Sequence, residues 1–415
     1  MTGRRYALLS FLLWLPVGLY LVPLVLLMLD RGLPVATIAV VGAVYGLTAA
    51  AFELPTGGLA DVLGRRPVLI ASAVAGAAGL LLLGLAGGVA LFLASAVLRG
   101  VARALSTGPL EAWYVDAVHA RLGRDADLTT GLAHGEVAGS VALGVGTLVG
   151  GFLPLALGDV GSLPALAVPV LMAAAIEGVR ALLTARLPEP PHPRPAAGAV
   201  LRSVPVTVVA GLRVAVRDLV LTRVLLAAGG AGVALGGIEL LTPAWLAGLT
   251  ATGPRAAATY AVVAAAGFGA DAIGGLLAGW SVRRCGSHAR AAVAGISVSA
   301  VALAGLAGCA LLRGPVAMAL AGLAYCVLFA GLGAAFPAQA HLLHERVEPE
   351  ERATVLSVQS LLMQIVGAVG VPVLGLLAAR HGITAGYAFA AVVLVATAAL
   401  FVRLPQRTAQ VPIGG

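Results

Sequence analysis

The sequence predicts an all-α membrane protein, with twelve transmembrane helices in two pseudo-symmetric six-helix bundles. Three observations carry this. First, 60% of the 415 residues are hydrophobic and 11% are charged, less than half the ~25% charge of an average soluble domain. A mean hydropathy of +1.02 leaves too little polar surface to cover a water-soluble fold. Second, apolar stretches long enough to cross a ~30 Å hydrocarbon core, about 20 residues each, recur along the chain. Third, a proline-rich break divides them into two sets of six. A cytosolic enzyme, a secreted disulfide scaffold and a disordered chain are thereby excluded.

In order, the spans fall at 6–29, 36–59, 66–87, 89–112, 130–156 and 162–187, then at 220–247, 257–281, 289–312, 315–341, 353–378 and 384–403. The first stretch is too long for a signal peptide and lacks a clean cleavage site, so it counts as a helix. After the sixth, Pro188, Pro190, Pro191, Pro193 and Pro195 dictate an extended linker. The stretch 196–217 then reads as a basic amphipathic segment with Arg202, Arg213 and Arg217 facing lipid headgroups. The chain is expected to divide into a first six-helix unit (1–187), a cytoplasmic linker (188–217), a second unit (218–405) and a cytoplasmic tail (406–415).

All 26 basic residues are arginine, and the formal net charge is +8. They sit singly or in pairs between apolar stretches, as in loops facing the cytoplasm, and no nucleic-acid partner is expected. With the amino terminus inside, only Arg31, Arg255, Arg313 and Arg380 fall in outer loops; Arg99 and Arg103 lie inside the fourth span, and the remaining 20 lie in cytoplasmic loops, tails or span ends. That asymmetry predicts a multi-pass plasma-membrane protein with both termini cytoplasmic. Cys285, Cys309 and Cys326 contain no CxxC pair and read as small apolar fillers.

Between the second and third spans the chain reads Gly57-Gly58-Leu59-Ala60-Asp61-Val62-Leu63-Gly64-Arg65-Arg66-Pro67. Glycine permits close approach and tight reversal, and Asp61 suits the amino terminus of a neighbouring helix. A loop that only fixes topology is the plainer alternative. Motif, loop position, twelve spans and central linker together resemble the major facilitator superfamily, whose signature there reads GxLaDrxGrR; only Val62, where a basic residue is usual, departs from it. Glu53-Leu54-Pro55-Thr56-Gly57, the stretch Ala104–Asp116 and Arg352-Ala353-Thr354-Val355-Leu356-Ser357 are similar to its drug-exporter-like members, the drug:proton antiporters. By that resemblance Asp61 docks on the amino terminus of the eleventh helix and holds the outward-facing state. Arg65 would pair with an acid at the end of the fourth span, taken to be Asp116, and Gly57, Gly64 and Arg66 complete the gate.

In the fifth span, exporters of this superfamily carry a Gly-Pro-x-x-Gly-Gly kink. Here Gly146, Gly150 and Gly151 match, but Thr147 replaces the proline. The run therefore reads either as an export signal or as small residues that let helices pack closely. Charges at membrane depth each cost at least ~2.5 kcal/mol at a span's centre, so each implies a cavity, a partner or a function. Many proton-coupled members of the superfamily it resembles have a fourth-span Arg that helps proton exchange, and by that resemblance Arg99, near the midplane of the fourth span, is the candidate here, with pairing to a structural carboxylate as the alternative. Glu239 and Asp271 are the expected proton carriers of the second half. Glu53 precedes Gly57-Gly58 much as Asp271 precedes Gly274-Gly275, a matched placement in the pseudo-equivalent second and eighth spans. Glu136 and Glu177 are expected to reach water near helix ends.

Trp14, Tyr20, Tyr325 and Gln364 are weaker candidates for the substrate cavity, and Trp245 reads as packing. His341 and His344 beside Glu345 hint at a metal but do not match HExxH, so no metal is expected. No Walker motif is present, so ATP does not drive transport directly and no cofactor is expected; the resemblance implies the proton gradient as the energy source. The resemblance implies a monomeric secondary transporter using H⁺ as coupling ion. It would work by alternating access to export lipophilic or cationic small molecules such as antibiotics; an importer or facilitator of a small metabolite is the alternative. A membrane enzyme is disfavoured because no sizeable soluble domain appears.

Overall fold

Without water in the bilayer core, each span must satisfy its own backbone, and only continuous helices do that for apolar runs of this length. The computed structural model describes residues 2–106, 108–123, 126–189, 213, 214, 216–348, 351–402 and 404, and at 54, 55, 57, 58, 61 and 353 it describes the backbone. Most of the proline linker, Arg202 and the tail lie outside the described residues. Thirteen helices are described: α1 (Thr2–Asp30), α2 (Val35–Leu63), α3 (Arg65–Leu85), α4 (Val89–Ser106), α5 (Pro109–Leu122), α6 (Thr129–Leu157), α7 (Ala167–Ala185), α8 (Leu219–Leu249), α9 (Gly253–Cys285), α10 (His288–Cys309), α11 (Pro315–His344), α12 (Arg352–His381) and α13 (Ile383–Ala399).

Eleven segments among the described residues are long and apolar enough to cross a membrane, with α4 and α5 counted together; α13 is apolar and 17 residues long. The expected fourth span is therefore two helices. Gly108, whose φ of 88° suits glycine, caps α5, and Pro109 opens it where its missing N–H costs nothing. With α4 and α5 counted as one span, successive spans alternate in direction between the face where α1 begins, here the amino-terminal face, and the opposite face.

The packing repeats pair by pair. In the first bundle α1 lies on α6, α3 on α4 and α7, and α2 on α4; in the second, α8 lies on α12, α10 on α11 and α13, and α9 on α11. Even a hydrogen bond recurs: Ser72 of α3 donates to the Ala102 carbonyl of α4, and Ser299 of α10 to the Leu328 carbonyl of α11, each at 2.8 Å. Two seams join the bundles, α2 on α12 and α6 on α9.

Glycine sets these approaches. A Cβ on Gly146 would meet the Leu15 carbonyl of α1 at 2.6 Å, and one on Gly150 would collide with the Leu19 carbonyl. Gly151 instead faces Ala257 and Ala261 across the α6–α9 seam. The α6 helix runs unbroken through Thr147, whose Oγ1 donates to the Leu143 carbonyl at 2.8 Å. Among the described residues this run thus acts in close helix packing. Leu276, Val301 and Phe336 are among the many apolar side chains left exposed on the bundle exterior, as a lipid-facing surface requires.

Candidate functional site

A cavity of about 280 Å³ penetrates the first bundle, from Tyr6, Glu111 and Glu136 near the amino-terminal face to Tyr20, Tyr45 and Arg99 at its deep end. The last three each lie ten residues from the opposite-face end of their helix, or roughly 15 Å at 1.5 Å per residue. The side chain of Arg99 is 6% exposed. It runs past Gly79, where a Cβ would meet Arg99 Cγ at 2.9 Å. Its Nε donates to Ser95 Oγ at 3.2 Å, and its guanidinium lies 5.3 Å from the Tyr20 ring centroid and 5.4 Å from that of Tyr45. No carboxylate hydrogen-bonds or ion-pairs with it among the described residues. Trp14 also lines this cavity.

Arg103, one turn on, faces the same cavity and lies within electrostatic reach of Glu53 and Glu239. Glu239 is solvent-accessible, ten residues from the opposite-face end of α8, and thus level with Arg99. Asp271 sits elsewhere, against α11, where a Cβ on Gly333 would meet its Oδ1 at 3.0 Å. Glu239 and Asp271 are not brought together.

Two expected cavity residues fall away from it. Gln364 donates through Nε2 to Glu53 Oε2 and, at 3.1 Å, to Ser360 Oγ, so Glu53 and Gln364 form a polar tie in the α2–α12 seam. Tyr325 is 3% exposed and packs in the second bundle's core. Its ring fills the slot left by Gly267 and packs, tilted by 32°, against Phe329 with centroids 4.9 Å apart.

Glu177 corrects the expectation that it reaches water. Its carboxylate is buried in an ion pair with Arg180 at 2.6 Å, and Arg180 also donates to Ser72 Oγ at 3.2 Å. Room for the pair comes from Gly76, where a Cβ would meet the Glu177 carboxyl carbon at 3.2 Å. Glu136 is exposed.

At the amino-terminal face, α2 continues to Leu63, so position 61 lies in its last turn and the reversal shrinks to Gly64 alone, with φ of 97°. At Gly57 and Asp61 the backbone alone is described. Arg65 Nε approaches Asp116 Oδ2 at 3.4 Å. Sequence reasoning missed Glu189. Its two carboxylate oxygens accept from the backbone N–H groups of Arg65 at 2.8 Å and Arg66 at 3.0 Å, capping α3 from a distant segment. Trp113 Nε1 donates to the adjacent Pro188 carbonyl at 3.0 Å and holds that segment down. The available signal was that Glu189 is the only acid between 188 and 217.

In the second bundle Asp218 caps α8 through the N–H groups of Val220 and Leu221, at 2.7 and 3.0 Å, and ion-pairs with Arg346 at 2.8 Å. His341 stacks on His288 with ring centroids 3.6 Å apart and contacts Glu345 at 3.0 Å. No group of three metal-ligating side chains occurs among the described residues.

Two six-helix bundles with membrane-length spans and an internal polar cavity define a multi-pass transporter. The sequence matches the Major Facilitator Superfamily model over residues 6–329 and again over 256–414, and the chain belongs to that superfamily. Among solved structures, the nucleoside transporter NupG is 15% identical over 96% of this chain and 98% of its own, with a TM-score of 0.77. A D-xylose-proton symporter is 14% identical, covering 97% and 98%, at 0.74. A bacterial homolog of the human lysosomal transporter Spinster, inward-facing and unoccupied, is 17% identical, covering 96% and 95%, at 0.75. Likeness at these identities is likeness of fold. A search of curated protein sequences returned no match.

Proposed function

We propose that the chain is a proton-coupled secondary transporter that exports a small, largely apolar organic molecule across the plasma membrane by alternating access. One observation carries the reading: a cavity with charges at membrane depth reaches one face, while both seams pack tightly toward the other. There Gly375 lies against Ala36 and Ala39, and Gly151 against Ala257 and Ala261. In this reading the halves divide at the 188–217 linker, both termini are cytoplasmic and the protein works as a monomer. Asp61, Arg65 and Asp116 form the gate at the amino-terminal face; Glu239, Asp271 and Glu53 are the candidate proton carriers. The lipophilic character of the cargo is supported by Trp14, Leu13 and Leu80 in the cavity wall; its charge is taken up below.

Everted membrane vesicles energised to an acid interior test this. Aromatic compounds from a mixed panel are expected to collapse the pH gradient with wild-type protein and not with an equally inserted Asp61→Asn variant. Equal collapse in both would remove the gate from the proposal. The unbroken α6 at Thr147, where exporters carry a kinking proline, favours import as the second reading. Uptake into right-side-out vesicles decides between the two directions.

A further inference from the structure

We infer that Arg99, walled by Tyr20 and Tyr45, is the seat for an anionic group, and that the transported molecule is an organic carboxylate with a flat apolar body; this rests on the transporter reading above. A guanidinium at membrane depth costs at least ~2.5 kcal/mol, and burial of an uncompensated charge is among the most destabilising arrangements in a protein. The partners of Arg99 are all neutral: the Ser95 hydroxyl and the rings of Tyr20 and Tyr45. One neutral hydrogen bond contributes about 1 kcal/mol, and cation–π contacts about 0.5–2 kcal/mol each. They fix the guanidinium over the cavity without neutralising it.

Among the described residues no carboxylate pairs with Arg99 at the deep end. Arg103 on the same helix has the same sign. On α7, Glu177 and Arg180 satisfy each other at 2.6 Å. Glu111 on α5 and Glu136 on α6 line the cavity toward its mouth, while Glu53 and Glu239 reach Arg103 from outside its walls. A cationic cargo would meet the Arg99 guanidinium here. A carboxylate would meet a planar fork that accepts it in bidentate fashion, with Trp14, Tyr20 and Tyr45 as flat walls for the rest of the molecule. A volume of about 280 Å³ lies at the small end of ligand pockets.

The test uses the full chain in lipid nanodiscs and three probes: naphthalene-2-carboxylate, its neutral carboxamide, and tetraphenylphosphonium. The carboxylate is expected to bind at least about ten-fold tighter than the amide, Arg99→Gln to erase that preference, and Arg99→Lys to keep part of it. Because Arg99→Gln removes a buried charge, its thermal midpoint should equal or exceed wild type, whereas a purely structural arginine would lower it. A folded wild-type protein that binds the carboxylate no tighter than the amide overturns the inference, as does undiminished carboxylate binding by Arg99→Gln. The same probes in the vesicle assay keep the two proposals apart. Tetraphenylphosphonium flux without carboxylate binding leaves a transporter with no anion seat; carboxylate binding without pH-coupled flux leaves the seat and refutes the transport reading.

Discussion

Glu177 and Arg180 lie three residues apart on α7 and are almost wholly withdrawn from solvent, with side chains 7% and 3% exposed. A buried pair of this kind tolerates joint replacement far better than the loss of one member. Arg180→Met is expected to cost about 3–5 kcal/mol, seen as a lower thermal midpoint in detergent, and the double variant Glu177→Gln/Arg180→Met to recover most of it. Asp218 gives a pH signature. Burial works against its charge, but the Leu221 N–H, Arg346 and the Val220 N–H outweigh it and hold the carboxyl below its ordinary value. A depressed folded-state pKa contributes stability that is present above the ordinary value of about 3.9 and lost as pH falls through the folded-state value. Asp218→Asn is therefore expected to lower the thermal midpoint at pH 7, with the deficit shrinking below about pH 4. Hydropathy alone exposes a charge such as Arg99 inside an apolar run. It gives depth along a helix and says nothing of rotation about it, which is why Glu177, one turn from Arg180 and facing inward, reads from sequence as reaching water.

At the scale of helices, α1 and α6 meet backbone to backbone because Gly18, Gly146 and Gly150 carry no side chains there. Gly150→Val is expected to abolish folded protein in size-exclusion profiles. Gly144→Ala, on the same helix with nothing within 4 Å of its Cβ, should be neutral. Span positions were legible because an apolar run records where hydrocarbon begins and ends. Helix ends were not: α8 and α9 extend to 31 and 33 residues because capping residues such as Asp218 and Thr252 lie beyond the apolar core. The start of α5 at Gly108–Pro109 was hidden by the apolar average around it, although the two residue types together carry the signal.

For the molecule as a whole, twelve spans around a central linker made two bundles legible. The seams were not, since α2 and α12 are brought together by packing across hundreds of residues of chain. A Cβ on Gly46 would lie 3.2 Å from that of Ala368, near the span a disulfide bridges. In a background with Cys285, Cys309 and Cys326 replaced by serine, oxidised Gly46→Cys/Ala368→Cys should bind substrate and not transport it, and reduction should restore flux. Unchanged flux in the cross-linked protein would show that this seam does not part during the cycle.

The cavity that ends at Arg99 reaches the amino-terminal face, while Gly375, Gly151 and Gly253 close the opposite one against Ala39, Ala261 and Leu166. For pharmacology this makes the protein a one-sided target. In this conformation a membrane-impermeant blocker reaches the aromatic walls from a single compartment, and potency measured in whole cells would report how well a compound enters that compartment as much as how well it fits.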